Sequence, residues 1–329
     1  MATSAVERTF AGPLTIDRDA TVVLTIPLEP FGLYRLSFES RAAGPGYWFA
    51  DFFNAAGEHN YADNHSGLDP ATDWTPAESV FMARAEAVTG KLGFRVIQEP
   101  IEVRRVRCQQ ISKAEALRWM DAVNATLPPV RPEFPAERWA LLPRTRMALQ
   151  AGKTLRVVAL GDSVSNDMLN GLGHLLVERA YPGTTLQIIH ANGPEKSCDN
   201  YQRDEALARL VIRHRPELFT VAGMSHGDPD AIRAVIRKVR AACGNVETAF
   251  FDVRTDGNPD LQVRGPLLAT LRRMAAEDGF VMCDLTTPFE DCMRRSKQPR
   301  SWYLRDHCHV NDRGKLLLGR LYAAFFAPA

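Results

Sequence analysis

Three side chains of this sequence have the types and order needed for covalent catalysis. Ser163 ends the stretch "VVALGDS", in which four apolar residues run into Gly161, Asp162 and the serine. A serine hydroxyl is a poor nucleophile until a base takes its proton, and that base is usually a histidine oriented by a carboxylate. Near the C-terminus, "RDHCHVNDRG" holds Asp306 and His309 as an Asp-x-x-His unit. Ser, Asp, His is one of the chain orders in which such triads occur. Composition alone would place a Gly-Asp-Ser in roughly one chain in ten of this length, so the tripeptide by itself decides little. It also reads as a turn followed by a helix cap. The Asp-x-x-His partner, placed just before the last helix, gives the serine its chemical meaning.

The elements that must position these residues alternate strand and helix. Strands are expected at 155–160, 186–190, 218–222, 247–252 and 280–284, and helices near 166–180, 202–214, 229–242, 261–278 and 312–326. The strands are short apolar runs, as when both faces of a sheet are covered. The alternation predicts a parallel sheet with helices on both sides. In such sheets the site lies beyond the carboxyl ends of the strands. That rule puts Ser163 and the loops at 191–200, 223–228 and 253–259 on one rim. The loop carrying Asp306 and His309 precedes the last helix, which Asn311 or Asp312 would cap.

Residues 1–110 follow a different pattern. "GLYRLSFES" alternates Tyr34, Leu36 and Phe38 with Arg35, Ser37 and Glu39, a period of two. Further short strands separated by Gly, Pro, Asn and Asp turns predict an all-β sandwich. Residues 54–75 read as a long polar loop. Within it His59, Asp63, His65 and Asp69 match no tight metal spacing. Tyr47, Trp48, Tyr61 and Trp74 are either core residues or platforms on which a sugar ring could stack. Arg104, Arg105 and Arg107 read as a solvated strand face. Residues 111–150 predict a helix at 113–124, with Ser112 and Glu115 as a capping box, then a proline-rich linker. The second domain is 151–329.

The Gly-Asp-Ser block after the first strand, with the Asp-x-x-His block before the last helix, resembles the SGNH hydrolases of the GDSL esterase and lipase superfamily. The resemblance covers about 153–326. It implies a flavodoxin-like three-layer sandwich with five central parallel strands. It implies Ser163 as nucleophile, His309 as base and Asp306 as its orienting partner. The family's oxyanion glycine corresponds to Gly193 in "HANGPEKSC", with Lys196 and Ser197 close enough to leave the alignment open. Where the family has Gly-x-Asn-Asp this chain has "GMSHGD", so Ser225 stands at the asparagine position and His226 follows it. Backbone N–H groups of Ser163 and Gly193, with Ser225 or His226, are the expected oxyanion donors. Asp162, Asn192 and Arg254 are expected to contact substrate. The N-terminal half resembles the jelly-roll modules attached to carbohydrate-active enzymes.

These readings imply a serine esterase that removes acyl groups, acetyl foremost, from a saccharide or another small ester, and that needs no cofactor and no metal. The alternatives are a carbohydrate-binding protein with weak or lost activity, marked by the altered "GMSHGD" block, and an acyltransferase on the same fold. A formal net charge of +1 excludes a strong field for nucleic acid or an anionic membrane. There is no apolar run of transmembrane length. The N-terminus lacks the apolar core of a signal peptide, so the chain as written reads as cytoplasmic, or as secreted if a leader was removed beforehand. Oligomeric state is left open. The six dispersed cysteines, with no C-x-x-C pair, read as buried free thiols.

Overall fold

The computed structural model describes residues 7–17, 20–130, 132, 134, 136–192, 197–256 and 261–328, without the side chains of 60–62, 204 and 261–263. The chain forms two compact units. One comprises Met1–Leu127, Pro299–Asp306 and Val310–Leu316; the other comprises Pro128–Gln298, His307–His309 and Leu317–Ala329.

Among its described residues the first unit holds nine strands: β1 (Glu7–Phe10), β2 (Leu14–Ile16), β3 (Ala20–Pro27), β4 (Leu33–Ala42), β5 (Gly46–Phe53), β6 (His59–Leu68), β7 (Ala71–Met82), β8 (Thr89–Val96) and β9 (Ile101–Ile111). One antiparallel sheet runs β1-β9-β4-β7, with β2 also on β9, and the other runs β3-β8-β5-β6. The pairs β2–β9, β3–β8, β4–β7 and β5–β6 nest inside one another. Alternation places Leu36 and Phe38 of β4, Trp48 and Phe52 of β5, Phe94 of β8 and Val106 of β9 in a common core. This is the expected sandwich.

The polar loop expected over 54–75 is replaced by β6 and the start of β7. Alternation is present in β6, but polar residues face inward. Asn64 and Ser66 are buried. The Asn64 Oδ1 accepts a hydrogen bond of 2.7 Å from the buried Lys315 Nζ, and Ser66 Oγ accepts one of 2.8 Å from the Asp312 N–H. A rule that looks for apolar alternation passes over such a strand. The capping box forms as predicted: Ser112 and Glu115 exchange hydrogen bonds at the start of α1 (Lys113–Asn124). This helix packs on β4 and belongs to the first unit. The arginine face is paired, Arg104 and Arg105 with Glu39 and Arg107 with Glu7.

The second unit contains α2 (Arg138–Leu141), α3 (Pro143–Gln150), β10 (Thr154–Gly161), α4 (Ser163–Asn170), α5 (Gly173–Ala180), β11 (Thr185–Ala191), α6 (Cys198–Tyr201), α7 (Asp204–Leu210), β12 (Leu218–Gly223), α8 (Pro229–Ala242), β13 (Glu247–Asp252), α9 (Leu261–Asp278), β14 (Val281–Asp284) and α10 (Thr286–Ser296). The helix α11 (Asp312–Phe325) begins in the first unit and ends here. The sheet is parallel throughout, in the order β11-β10-β12-β13-β14. Counted by appearance this is 2-1-3-4-5, the flavodoxin-like order. Helices cover both faces. Phe250 of β13 packs with α8 and α9, and its neighbour Phe251 meets Tyr322 and Phe325 of α11. The single helix expected at 166–180 is two, because the chain turns at Gly171 and Leu172, where Leu172 has φ +54°. Among the described residues no disulfide joins the six cysteines, and five of them are buried. Among the described residues no helix is long and apolar enough to cross a membrane.

Candidate active site

Strand β10 has β11 on one side and β12 on the other, so the chain leaves it in opposite directions across the sheet. Ligands bind outside the carboxyl ends of strands at such a switch point. Ser163 sits there, as the first residue of α4. It is exposed while Asp162 before it and residues 164–170 after it are buried.

Asp162 explains how this turn is held. As N-cap of α4, its Oδ1 accepts hydrogen bonds of 3.0 Å from the N–H groups of both Val164 and Ser165. Its Oδ2 accepts one of 2.7 Å from the N–H of Ser225, in the loop after β12. One carboxylate therefore ties the nucleophile turn to the neighbouring loop. The fit leaves no room at Gly223, whose φ is +131° and where a Cβ would lie 2.3 Å from Asp162 Oδ1. Asp162 is 5% exposed. Its carboxylate serves the backbone of both segments. Tyr201, which sequence did not single out, supports the same turn with a 3.0 Å hydrogen bond from its hydroxyl to the Gly161 carbonyl.

His309 lies with its Nε2 2.8 Å from Ser163 Oγ. Its Nδ1 is 3.5 Å from Cys308 Sγ. The loop that carries it is closed at its base by the antiparallel bridge Leu304–Val310 and by the Asn311 N–H donating to the Tyr303 carbonyl at 2.8 Å. The Thr255 hydroxyl donates to the Cys308 carbonyl, which fixes the backbone beside the histidine. Asp306 is exposed, three residues earlier in that loop.

The remaining expected residues divide. Gly193 lies outside the described residues. Asn192 is buried, and its Nδ2 donates to the Asp162 carbonyl at 3.2 Å. Ser225 is exposed, with its N–H committed to Asp162. His226 is buried and its Nδ1 accepts a 3.1 Å hydrogen bond from the Cys198 N–H. Burial pushes its pKa down. Through Nδ1 the ring holds the backbone at Cys198. Arg254 is half-buried; its N–H donates to Thr286 Oγ1 at 2.8 Å and its guanidinium lies 3.7 Å from Asp256. Arg264, not foreseen, bridges Asp252 and Asp284, the last residues of β13 and β14. Burial raises the Asp252 pKa despite that partner.

No family model and no curated protein matches the chain. Solved structures do. A two-domain esterase (CEX) active on acetylated mannans aligns at 12% identity over 57% of this chain and 52% of its own, with a TM-score of 0.47. A family 3 carbohydrate esterase from Clostridium thermocellum aligns at 12% over 52% of this chain and 94% of its own, with 0.37. A family two carbohydrate esterase from Cellvibrio japonicus aligns at 9% over 85% and 89%, with 0.29. The chain is similar to carbohydrate esterases. It spans about half the length of the first of these structures.

The first unit carries a concavity of its own, about 260 Å³, lined by the buried Phe38 and Trp48 and by Trp119, Asp69, Glu78 and Arg313. Of the aromatic residues read from sequence, Trp48 is core and Trp74 lies under the guanidinium groups of Arg41 and Arg104. Tyr47 is half-buried beside Arg95, and the Tyr61 side chain is outside the described residues.

Proposed function

We propose that this chain is an SGNH-type serine esterase that deacylates a carbohydrate through an acyl-enzyme. The observation that carries the reading is the 2.8 Å approach of His309 Nε2 to an exposed Ser163 Oγ at the carboxyl end of β10. In the proposed reaction His309 Nε2 takes the Ser163 proton as Oγ attacks the acyl carbon. The same nitrogen returns the proton to the departing sugar hydroxyl. It then removes a proton from water as the water attacks the acyl-enzyme, and passes that proton to Ser163 Oγ as the carboxylic acid leaves. Asp306 orients the imidazole from within the same loop.

The developing oxyanion needs donors. The N–H of Ser163 is at the first position of α4, where no intrahelical acceptor exists and the helix end is positive. The Ser225 hydroxyl and the Gly193 N–H complete the proposed set. His226 Nδ1 already accepts from the Cys198 N–H, and the Ser225 hydroxyl is proposed to stand in for the family's amide. The nested strand pairing supports the jelly-roll reading of the first unit, and an acylated saccharide is the substrate proposed.

Hydrolysis of p-nitrophenyl acetate tests the reading. Ser163→Ala and His309→Ala are each expected to lower kcat by about 10⁴-fold or more, with little further loss in the double variant, because the two act as one unit. Equal turnover in wild type and folded Ser163→Ala would sink the assignment. Acetylated oligosaccharides with and without acceptor sugars then separate hydrolysis from acyl transfer.

A further inference from the structure

The outward face of the sheet β3-β8-β5-β6 gathers a second set of reactive groups. Asp63 and His65 are two residues apart on β6 and so share a face. Asp51 is on β5, and the antiparallel ladder, irregular between Ala50 and Phe52, brings it across to them. One carboxylate oxygen from each aspartate and one ring nitrogen of His65 lie within 4.8 Å of one another. His65 Nε2 is 3.5 Å from Asp51 Oδ1, is shut off from solvent, and makes no hydrogen bond among the described residues. Its ring is fixed by a stacked Tyr47 at 5.6 Å and an edge-on Phe49 at 6.3 Å. His59 Nε2 is 2.8 Å from Asp63 Oδ1.

We propose that Asp51, Asp63 and His65 bind a divalent transition-metal ion, Zn²⁺ foremost, with His59 holding Asp63 in place from outside the ligand set. Imidazole nitrogen together with carboxylate oxygen suits Zn²⁺, whereas Ca²⁺ takes six to eight oxygens. Donors about 2.1 Å from a tetrahedral centre stand about 3.4 Å apart, so small side-chain rotations close the observed spacing. Two aspartates give the local negative charge that a divalent ion balances. The cations nearby are engaged elsewhere: Arg84 with the carbonyls of Met82 and Asp63, and Lys91 over the Phe53 ring. They weaken the site without blocking it. The ion would clip β6, an edge strand whose inward face is polar, to β5. The sequence spacing of His59, Asp63, His65 and Asp69 hides this site because the third ligand comes from the neighbouring strand. Asp69 is paired instead with Arg313.

Isothermal titration of chelator-treated full-length protein with ZnCl₂, then CaCl₂, tests the site, with the thermal midpoint as a second readout. One Zn²⁺ per chain and a raised midpoint are expected, with weaker Ca²⁺ binding. Asp51→Asn and His65→Gln should each weaken Zn²⁺ by about tenfold or more while the metal-free circular dichroism stays unchanged. If His65→Gln does not fold, Asp51→Asn, at a half-buried position, decides alone. A variant lacking donors of a separate group, His307→Asn with Cys308→Ser, should bind like wild type. No binding by wild type, unchanged affinity in Asp51→Asn, or loss only in the His307 and Cys308 variant would each overturn the proposal. None of these readouts depends on esterase turnover.

Discussion

Whether Ser163 stands ready depends on one carboxylate beside it. Asp162 accepts three backbone N–H groups, two from α4 and one from Ser225. Asp162→Ala removes a cap worth about 1 kcal/mol and leaves buried donors that each cost about 1–3 kcal/mol. We expect a loss of about 2–4 kcal/mol in urea unfolding together with loss of turnover. Asp162→Asn keeps one acceptor oxygen and should lose less of both. A fully stable Asp162→Ala would show that the cap is dispensable. His226 adds a pH dependence. Its folded-state pKa is lowered by burial, so the unfolded chain binds the extra proton first as pH falls below about 6.5. Its contribution is present above that value and drains away as pH drops toward the folded pKa. In thermal melts His226→Gln should flatten the decline in stability between pH 7 and pH 5; an unchanged slope would place the titrating group elsewhere. The approach of His309 to Ser163 was legible in residue types and their order. The tasks of Asp162 and His226 were not, because they depend on which distant N–H groups face the side chain.

Elements were legible where polarity follows the pleat or the helical turn. The five parallel strands and the capped α1 are of this kind. Strand β6 was not, since Asn64 and Ser66 point inward and their partners, Lys315 and the Asp312 N–H, come from about 250 residues later. The division of α4 from α5 is likewise a packing result. At Gly173 an added Cβ would lie 2.3 Å from the Gly319 carbonyl oxygen, and at Gly319 one would lie 2.2 Å from that of Gly171. The α4–α5 turn and α11 therefore touch backbone to backbone. Gly319→Val should force them apart and cost at least about 2–3 kcal/mol, read as a lower thermal midpoint. A midpoint within a degree of wild type would mean that the close approach relaxes freely.

At the scale of the whole chain, the two compact units do not follow chain order. Residues 299–306 and 310–316 return to the first unit, and nothing in local composition announces such a return. Its physical content is polar. Within the first unit, Lys315 bonds Asn64, Arg305 donates to the His65 carbonyl at 3.1 Å, and Arg313 pairs with Asp69. Met1–Leu127 on its own would retain its apolar core yet leave β6 with buried polar groups lacking partners, each costing about 1–3 kcal/mol against a total stability of about 5–15 kcal/mol. The isolated 1–127 fragment is therefore expected to melt with low cooperativity or at a clearly lower temperature than the same fragment joined through a flexible linker to residues 299–316. Calorimetry of the two checks this. Equal, cooperative transitions would show that the sandwich core suffices and that the C-terminal return is only a tether for the loop that carries His309.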